Sequence, residues 1–117
     1  MQGNTLQGMR VAMLVSDDFE QAEFTEPKKA LEQAGAQVTV IAPKAGQITG
    51  MNHDVKADSF NVDMTLDQAN SSDFDALMLP GGALNADALR MVPKAQQFVK
   101  DFDGNGKPIA FICHAPW

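Results

Sequence analysis

The sequence predicts a three-layer α/β domain built around a mostly parallel sheet. Three apolar runs, residues 9–16, 74–79 and 109–112, have the length and composition of strands that are buried on both faces. Segments in which apolar residues recur at helical spacing separate these runs, so that strands and helices alternate along the chain. This alternation is typical of a sheet that has helices packed on both of its sides.

The amino-terminal half predicts one βαβ unit. Residues 9–16 form its first strand, a helix lies within residues 20–34, and residues 36–42 form the second strand. Gly35 is suited to end the helix, because glycine adopts the left-handed conformation that often follows a last helical turn. Pro27 marks either the first turn of the main helix or a kink after a short first turn.

The remaining elements follow in order. Residues 43–58 predict a small β-hairpin or edge extension, and residues 64–69 predict a short helical turn with Asp63 or Thr65 as its N-cap. The strand at 74–79 ends at Pro80-Gly81-Gly82, a short helix starts at Asn85 or Asp87 and runs through Met91, a longer helix spans 94–102 after Pro93, and the strand at 109–112 comes last.

Composition narrows the class of protein. The 117 residues carry a formal net charge of −6 with no basic cluster, which argues against nucleic-acid binding. No apolar run approaches the roughly 20 residues of a membrane span. The single cysteine predicts a reducing, cytoplasmic location. We expect residues 1–8 to be a loose extension and residues 9–117 to be the amino-terminal portion of one domain. No metal-ligand spacing or nucleotide-binding glycine pattern appears, so we expect no cofactor and no metal.

Cys113 is the strongest candidate for chemistry. It follows a buried strand, at the edge of an open sheet where ligands bind, and a helix starting there would favour the thiolate. The alternative is a buried structural thiol. We expect a strained backbone at Cys113. His114 could act as a general base or be a surface histidine. Gly81 and Gly82 are either a plain turn or a source of backbone N–H groups for an oxyanion.

Three carboxylates could join this site. We expect a short helical turn carrying Glu20 and Glu23, which would then be neighbours on one face. Both could be solvated residues of a helix start, but a buried carboxyl could donate a hydrogen bond to the thiolate, and we favour Glu23 for this. Asp87 is either an N-cap or a group that orients a histidine.

Three motifs resemble the PfpI-type intracellular protease family, in the superfamily of the parkinsonism-associated deglycase and the class I glutamine amidotransferase fold. They are Phe-Glu-Gln-Ala-Glu-Phe at 19–24, Leu-Pro-Gly-Gly at 79–82 and Ile-Cys-His-Ala-Pro at 112–116. The resemblance implies a flavodoxin-like sandwich with Cys113 as nucleophile and His114 beside it. It also implies that Glu23 touches the sulfur with Glu20 nearby.

The resemblance further implies that the amides of Gly82 and His114 bind an oxyanion. Asp87 is the nearest match to an acid that reaches a histidine across a subunit interface in several relatives, so we expect a homodimer or a higher homo-oligomer.

The activity that the resemblance implies is that of a cysteine-dependent stress-response enzyme. Its substrates would be small electrophilic carbonyl compounds, as for a glyoxalase or deglycase, or peptides. One alternative is a non-enzymatic redox sensor or chaperone that uses the same cysteine. A glutamine amidotransferase is less favoured, because that class has a Gly-x-Cys-x-Gly elbow. Family members continue for roughly a third more chain, so we expect this chain to lack its carboxyl-terminal part and to fold poorly alone.

Overall fold

Five parallel strands form the central sheet. The computed structural model describes residues 6–16, 19–52, 55–79 and 92–111. Within these ranges the elements are β1 (Arg10–Leu14), β2 (Phe19–Glu20), α1 (Ala22–Gln33), β3 (Gln37–Ala42), β4 (Gln47–Asn52), β5 (Val55–Asn61), β6 (Met64–Thr65), a 3₁₀ turn (Ser71–Asp73), β7 (Ala76–Leu79), α2 (Pro93–Gly104) and β8 (Ile109–Phe111). The strand order is β6-β3-β1-β7-β8, which confirms the predicted α/β class.

The βαβ unit is confirmed. β1 is central, pairs in parallel with β3 on one side and β7 on the other, and is buried from Val11 to Leu14. Gly35 ends α1 with φ = +99°. The N–H of Ala36 donates to the Leu31 carbonyl and the N–H of Gly35 to the Glu32 carbonyl, which is the Schellman pattern. Leu6 N–H donates to the Ala34 carbonyl at 2.8 Å, so the described start of the chain lies against this helix end.

A second, three-stranded sheet has the order β2-β4-β5. β4 and β5 are antiparallel, as the predicted hairpin requires, with an irregularity between Thr49 and Met51. β2 adds to this hairpin in parallel, because Phe19 pairs with Gly50 and Glu20 with Met51. The segment directly before α1 is therefore a strand of the small sheet.

The prediction for residues 64–69 is wrong at its start and correct after it. Met64 and Thr65 form a strand at the edge of the main sheet, paired with Ile41 and Ala42, because backbone pairing with β3 outweighs the weak local preference for a turn. Asp63 is not the N-cap, since its carboxylate accepts a hydrogen bond from the Val40 N–H at 2.8 Å.

The predicted turn follows directly, with Thr65 as its N-cap. The Ala69 N–H donates to the Thr65 carbonyl at 3.0 Å, and the Thr65 hydroxyl oxygen accepts from the Gln68 N–H at 3.3 Å.

The carboxyl-terminal elements follow the prediction. β7 and β8 pair in parallel, and α2 begins with Pro93 in its first turn. The predicted short helix ending at Met91 and the residue Ile112 lie outside the described residues.

Each face of the main sheet has its own apolar core. On one face, α1 contributes Phe24 to a cluster with Met13, Val15, Val40 and Phe19. On the other face, α2 contributes Ala95, Phe98 and Phe102 to a separate cluster. Helices on both sides of one parallel sheet make three layers, so the predicted architecture is confirmed.

Candidate active site

The strand order brings three strand ends together. β1, β7 and β8 are neighbours and parallel, with Met13 opposite Met78 and Leu79 opposite Phe111. Their carboxyl ends therefore lie at one edge of the sheet. The chain order also reverses between β3 and β7 on the two sides of β1. In open α/β sheets, ligands bind in the crevice at this kind of reversal, outside the carboxyl ends of the strands.

Most of the predicted site residues follow β7 or β8 in the sequence. Gly81 is two positions past the last residue of β7, and Cys113 is two positions past the last residue of β8. Gly81, Gly82, Asp87, Cys113 and His114 all fall outside the described residues. The backbone strain expected at Cys113 falls outside them too. What the structure brings together is the pair of strand ends from which the Gly-Gly turn and the cysteine continue.

Glu23 lies in the first turn of α1, as the favoured carboxylate should. Its side chain is partly buried, and its Oε1 atom is shielded from solvent. α1 begins after β2, and its first turn packs through Phe24 against Val15, which directly follows β1. A carboxyl oxygen that is withdrawn from bulk water can hold or pass a proton at a defined position.

The predicted helical turn shared by Glu20 and Glu23 is wrong. Glu20 belongs to β2 and pairs with Met51, whereas Glu23 is helical, so the two do not share a helical face. Pairing with the hairpin, which is distant in sequence, extends the backbone at Phe19 and Glu20. Pro27 lies inside the single helix α1.

Gln21, which joins β2 to α1, is a residue that the sequence reasoning missed. Its side-chain amide donates to the Asp58 carboxylate at 3.0 Å and accepts from the Asp58 N–H at 2.8 Å. Glutamine between two glutamates carries no distinctive signal. Asp58 becomes relevant only once β5 is seen to pass beside the start of α1.

An ion pair at the opposite ends of the strands supports the β1–β7 pairing. The Arg10 N–H donates to the Asp75 carboxylate at 2.8 Å, and the Arg10 guanidinium approaches the same carboxylate at 3.4 Å. These hydrogen bonds, from the backbone first and the side chain second, lower the pKa of Asp75 from its ordinary value of 3.8. Asp75 directly precedes β7, so the contact holds the amino ends of the two strands together.

A separate cleft of about 450 Å³ opens beside α1. Its lining contains none of the predicted site residues and consists of Phe24, Thr25, Lys28, Lys29, Glu32, Val40, Phe60, Asn61 and Asp63. Lys28 is paired with Glu32 at 3.0 Å. We therefore place the candidate active site at the strand ends and not in this cleft.

The described part of the chain shows neither a metal-binding cluster nor a membrane-spanning helix. Residues 6–16, 19–52, 55–79 and 92–111 contain no cluster of three histidine, cysteine or acidic side chains that could hold a metal. Neither helix in those ranges is long and apolar enough to cross a bilayer.

Comparison with known proteins places these features in a family. The model of the DJ-1/PfpI family matches residues 9–117. General stress protein 18 of Bacillus subtilis (strain 168) is 40% identical over 110 residues, which are 93% of this chain and 62% of that protein. Protein/nucleic acid deglycase 2 of Escherichia coli (strain K12) is 37% identical over 108 residues, 92% of this chain and 60% of the relative.

The structural comparison agrees. The crystal structure of Drosophila melanogaster DJ-1beta superimposes with a TM-score of 0.78 at 27% identity, covering 92% of this chain and 56% of that one. The chain thus spans about three fifths of the length of the two curated relatives.

Proposed function

The chain belongs to the DJ-1/PfpI family, and we propose that it supplies the cysteine nucleophile of an enzyme acting on small electrophilic carbonyl compounds. Cys113 would be the nucleophile, Glu23 the proton carrier, and the backbone amides of Gly82 and His114 the donors to the developing oxyanion. A relative that is 37% identical is named a deglycase, and one that is 40% identical is named a stress protein.

The pairing of β7 with β8 carries this proposal. Leu79 and Phe111 are register partners at adjacent strand ends, and the segments that contain Gly81-Gly82 and Cys113 continue the chain from these two ends. A thiolate next to bare backbone amides is the arrangement that addition to a carbonyl needs, because negative charge develops on the carbonyl oxygen as the carbon–sulfur bond forms.

With methylglyoxal as substrate, the reaction balances without a cofactor. The Cys113 thiolate adds to the aldehyde carbon, and the carbonyl electron pair moves to the oxygen. The hydrogen of that carbon then leaves as a proton, and a proton returns to the neighbouring ketone carbon. The first carbon is thereby oxidised to a thioester and the second is reduced to an alcohol. Water hydrolyses the thioester, which releases lactate and restores the thiolate.

Glu23 would carry the proton between the two carbons. A positioned acid–base group contributes about 10²- to 10⁴-fold in rate. Glu23→Gln should therefore lower turnover by an amount in that range, while Glu26→Gln should leave it unchanged. Glu26 is the matched control, because it lies on the same helix with its side chain exposed.

The test is lactate production from methylglyoxal by the protein and by its Cys113→Ser variant. We expect turnover by the parent protein and only background from Cys113→Ser. Equal rates from the two proteins would refute the proposal. A casein digest run in parallel separates the peptidase reading, which predicts cysteine-dependent release of peptides and no lactate.

A further inference from the structure

We propose that Gln21 is a positioning residue that fixes the first turn of α1, and with it the Glu23 carboxyl, by clamping the helix to the β4–β5 hairpin. The inference rests on the proposed function, in which Glu23 acts on the Cys113 sulfur. Gln21 does not touch the reacting atoms. Its effect passes through the position of Glu23, two residues further along the chain.

Gln21 joins the hairpin by three hydrogen bonds. Its backbone N–H donates to the Met51 carbonyl of β4 at 2.8 Å. Its side-chain Nε2 donates to the Asp58 carboxylate of β5 at 3.0 Å, and its Oε1 accepts from the Asp58 N–H at 2.8 Å. Both ends of the amide are used, so its orientation is fixed. Because this side chain bonds to β5, it does not cap the helix.

The same residue sets where the helix begins. The Gln21 carbonyl accepts from the N–H groups of Phe24 and Thr25 at 3.0 and 2.9 Å, and from the Thr25 hydroxyl at 3.1 Å. Glu23 lies between Gln21 and these donors. A shift of Gln21 relative to the hairpin would therefore carry the Glu23 carboxyl with it.

Gly50 shows how closely the hairpin approaches this residue. A Cβ added at Gly50 would lie 3.1 Å from Gln21 Cβ, 3.1 Å from Gln21 Oε1 and 3.3 Å from Phe19 Cε2. Gly50 does not have a positive φ angle, so the close contact, rather than the backbone conformation, favours glycine here. Side chain and hairpin backbone are thus in direct packing contact.

The amide chemistry suggests an isosteric test. Gln21→Glu keeps the size of the side chain but replaces the donor facing Asp58 with a second negative charge. Like charges at hydrogen-bond distance repel, so the side chains of residues 21 and 58 should separate. Adding Asp58→Asn to Gln21→Glu restores a donor–acceptor pair with the roles exchanged. The second substitution should therefore restore the contact between residues 21 and 58, whereas it would not restore a protein that had lost its fold.

The readout is the pH profile of alkylation of Cys113 by iodoacetamide. Because the chain has one cysteine, the rate reports that thiolate alone. The proposed function has Glu23 donate a hydrogen bond to the thiolate, so Glu23→Ala should raise the profile midpoint by about one pH unit, a tenfold fall in rate below the midpoint. Gln21→Glu should move it in the same direction by roughly half as much, and Asp58→Asn should reverse this shift.

Gln47→Glu is the matched control. Gln47 is the exposed first residue of β4, and its side-chain amide donates to the Asn61 side chain at 3.2 Å across the same hairpin. It undergoes the same chemical change and should leave the midpoint unchanged. Where Gln21→Glu does not fold, Gln21→Met removes both amide bonds without adding charge and should give the same upward shift.

The outcomes separate the two proposals. The inference is overturned if Glu23→Ala shifts the midpoint while Gln21→Glu does not, if Asp58→Asn fails to reverse the shift, or if Gln47→Glu shifts it equally. The proposed function survives each of these. If Glu23→Ala itself leaves the midpoint unchanged, the contact between carboxyl and sulfur is wrong, and the inference falls with it.

Discussion

Replacing Lys107 with methionine tests how the approach to β8 is held. Lys107 lies in the connection from α2 to β8, and its Nζ donates to the backbone carbonyls of Ser71 and Phe74 at 2.9 and 2.8 Å. The same ammonium group lies 5.5 Å from the centre of the Phe102 ring. Lys107→Met keeps most of the aliphatic stem and removes only the charged donor.

The expected loss of stability follows from these contacts. A hydrogen bond to a charged group contributes about 1.5–3 kcal/mol, and the half-buried position of Lys107 places each bond toward the lower limit. The cation–π contact adds about 0.5–1 kcal/mol. Allowing for the side-chain entropy that methionine recovers, Lys107→Met should lower the free energy of unfolding by about 2–3 kcal/mol.

Urea unfolding measures this loss. With a slope of about 1–3 kcal/mol per molar urea, the midpoint should fall by roughly 0.7–3 M while the slope stays constant. Lys100→Met is the control, because Lys100 is an exposed lysine of α2 whose replacement should change stability by less than about 0.5 kcal/mol. If Lys107→Met lowers the free energy of unfolding no more than Lys100→Met does, the ammonium group does not hold the α2–β8 connection to the segment 71–74.

Three further outcomes are expected. In Asp75→Asn, the free energy of unfolding measured in urea should fall less between pH 6 and pH 2 than it does in the parent protein. The folded-state pKa of Asp75 lies below its ordinary value of 3.8, so the stabilisation by Arg10 is fully present above pH 3.8 and is lost as the pH falls through the folded-state pKa. An equal fall in the variant and the parent protein would contradict the ion pair. Phe24→Ala should cost about 3–5 kcal/mol in the same assay, because this buried ring contacts two other phenylalanine rings at 5.0 Å, and a loss under 1 kcal/mol would contradict that packing. Gly50→Ala should lower the thermal midpoint by an amount equivalent to about 1–3 kcal/mol, since the added methyl meets Gln21; an unchanged midpoint would show that the contact has room.

The elements that were predicted correctly are those whose conformation is indicated by their own residues. Residues 11–14 and 76–79 are apolar runs, and burial between two helical layers is what such runs require. Gly35 and Pro93 sit where a helix end and a helix start need them, and both play those roles. The order of the strands then places the carboxyl ends of β7 and β8, which Gly81 and Cys113 follow in the sequence, at one edge of the sheet.

The features that were missed depend on pairing between distant segments. Glu20 looked like a helix-start residue until the hairpin, some 30 residues later, was seen to pair with it through Met51. Met64 and Thr65 are too few to give a strand pattern, and their pairing with β3 decides their conformation. The partner of Gln21 could not be predicted, because nothing in the local sequence of Asp58 points to the start of α1.

Pro27 has a consequence for how the first turn of α1 moves. Proline has no N–H and so cannot complete the regular helical bond to the carbonyl of Glu23, four residues earlier. The opening turn therefore has one hydrogen bond fewer to the helix behind it. In hydrogen exchange, the amides of Phe24 and Thr25 should accordingly open together with the hairpin, ahead of the amides nearer Leu31.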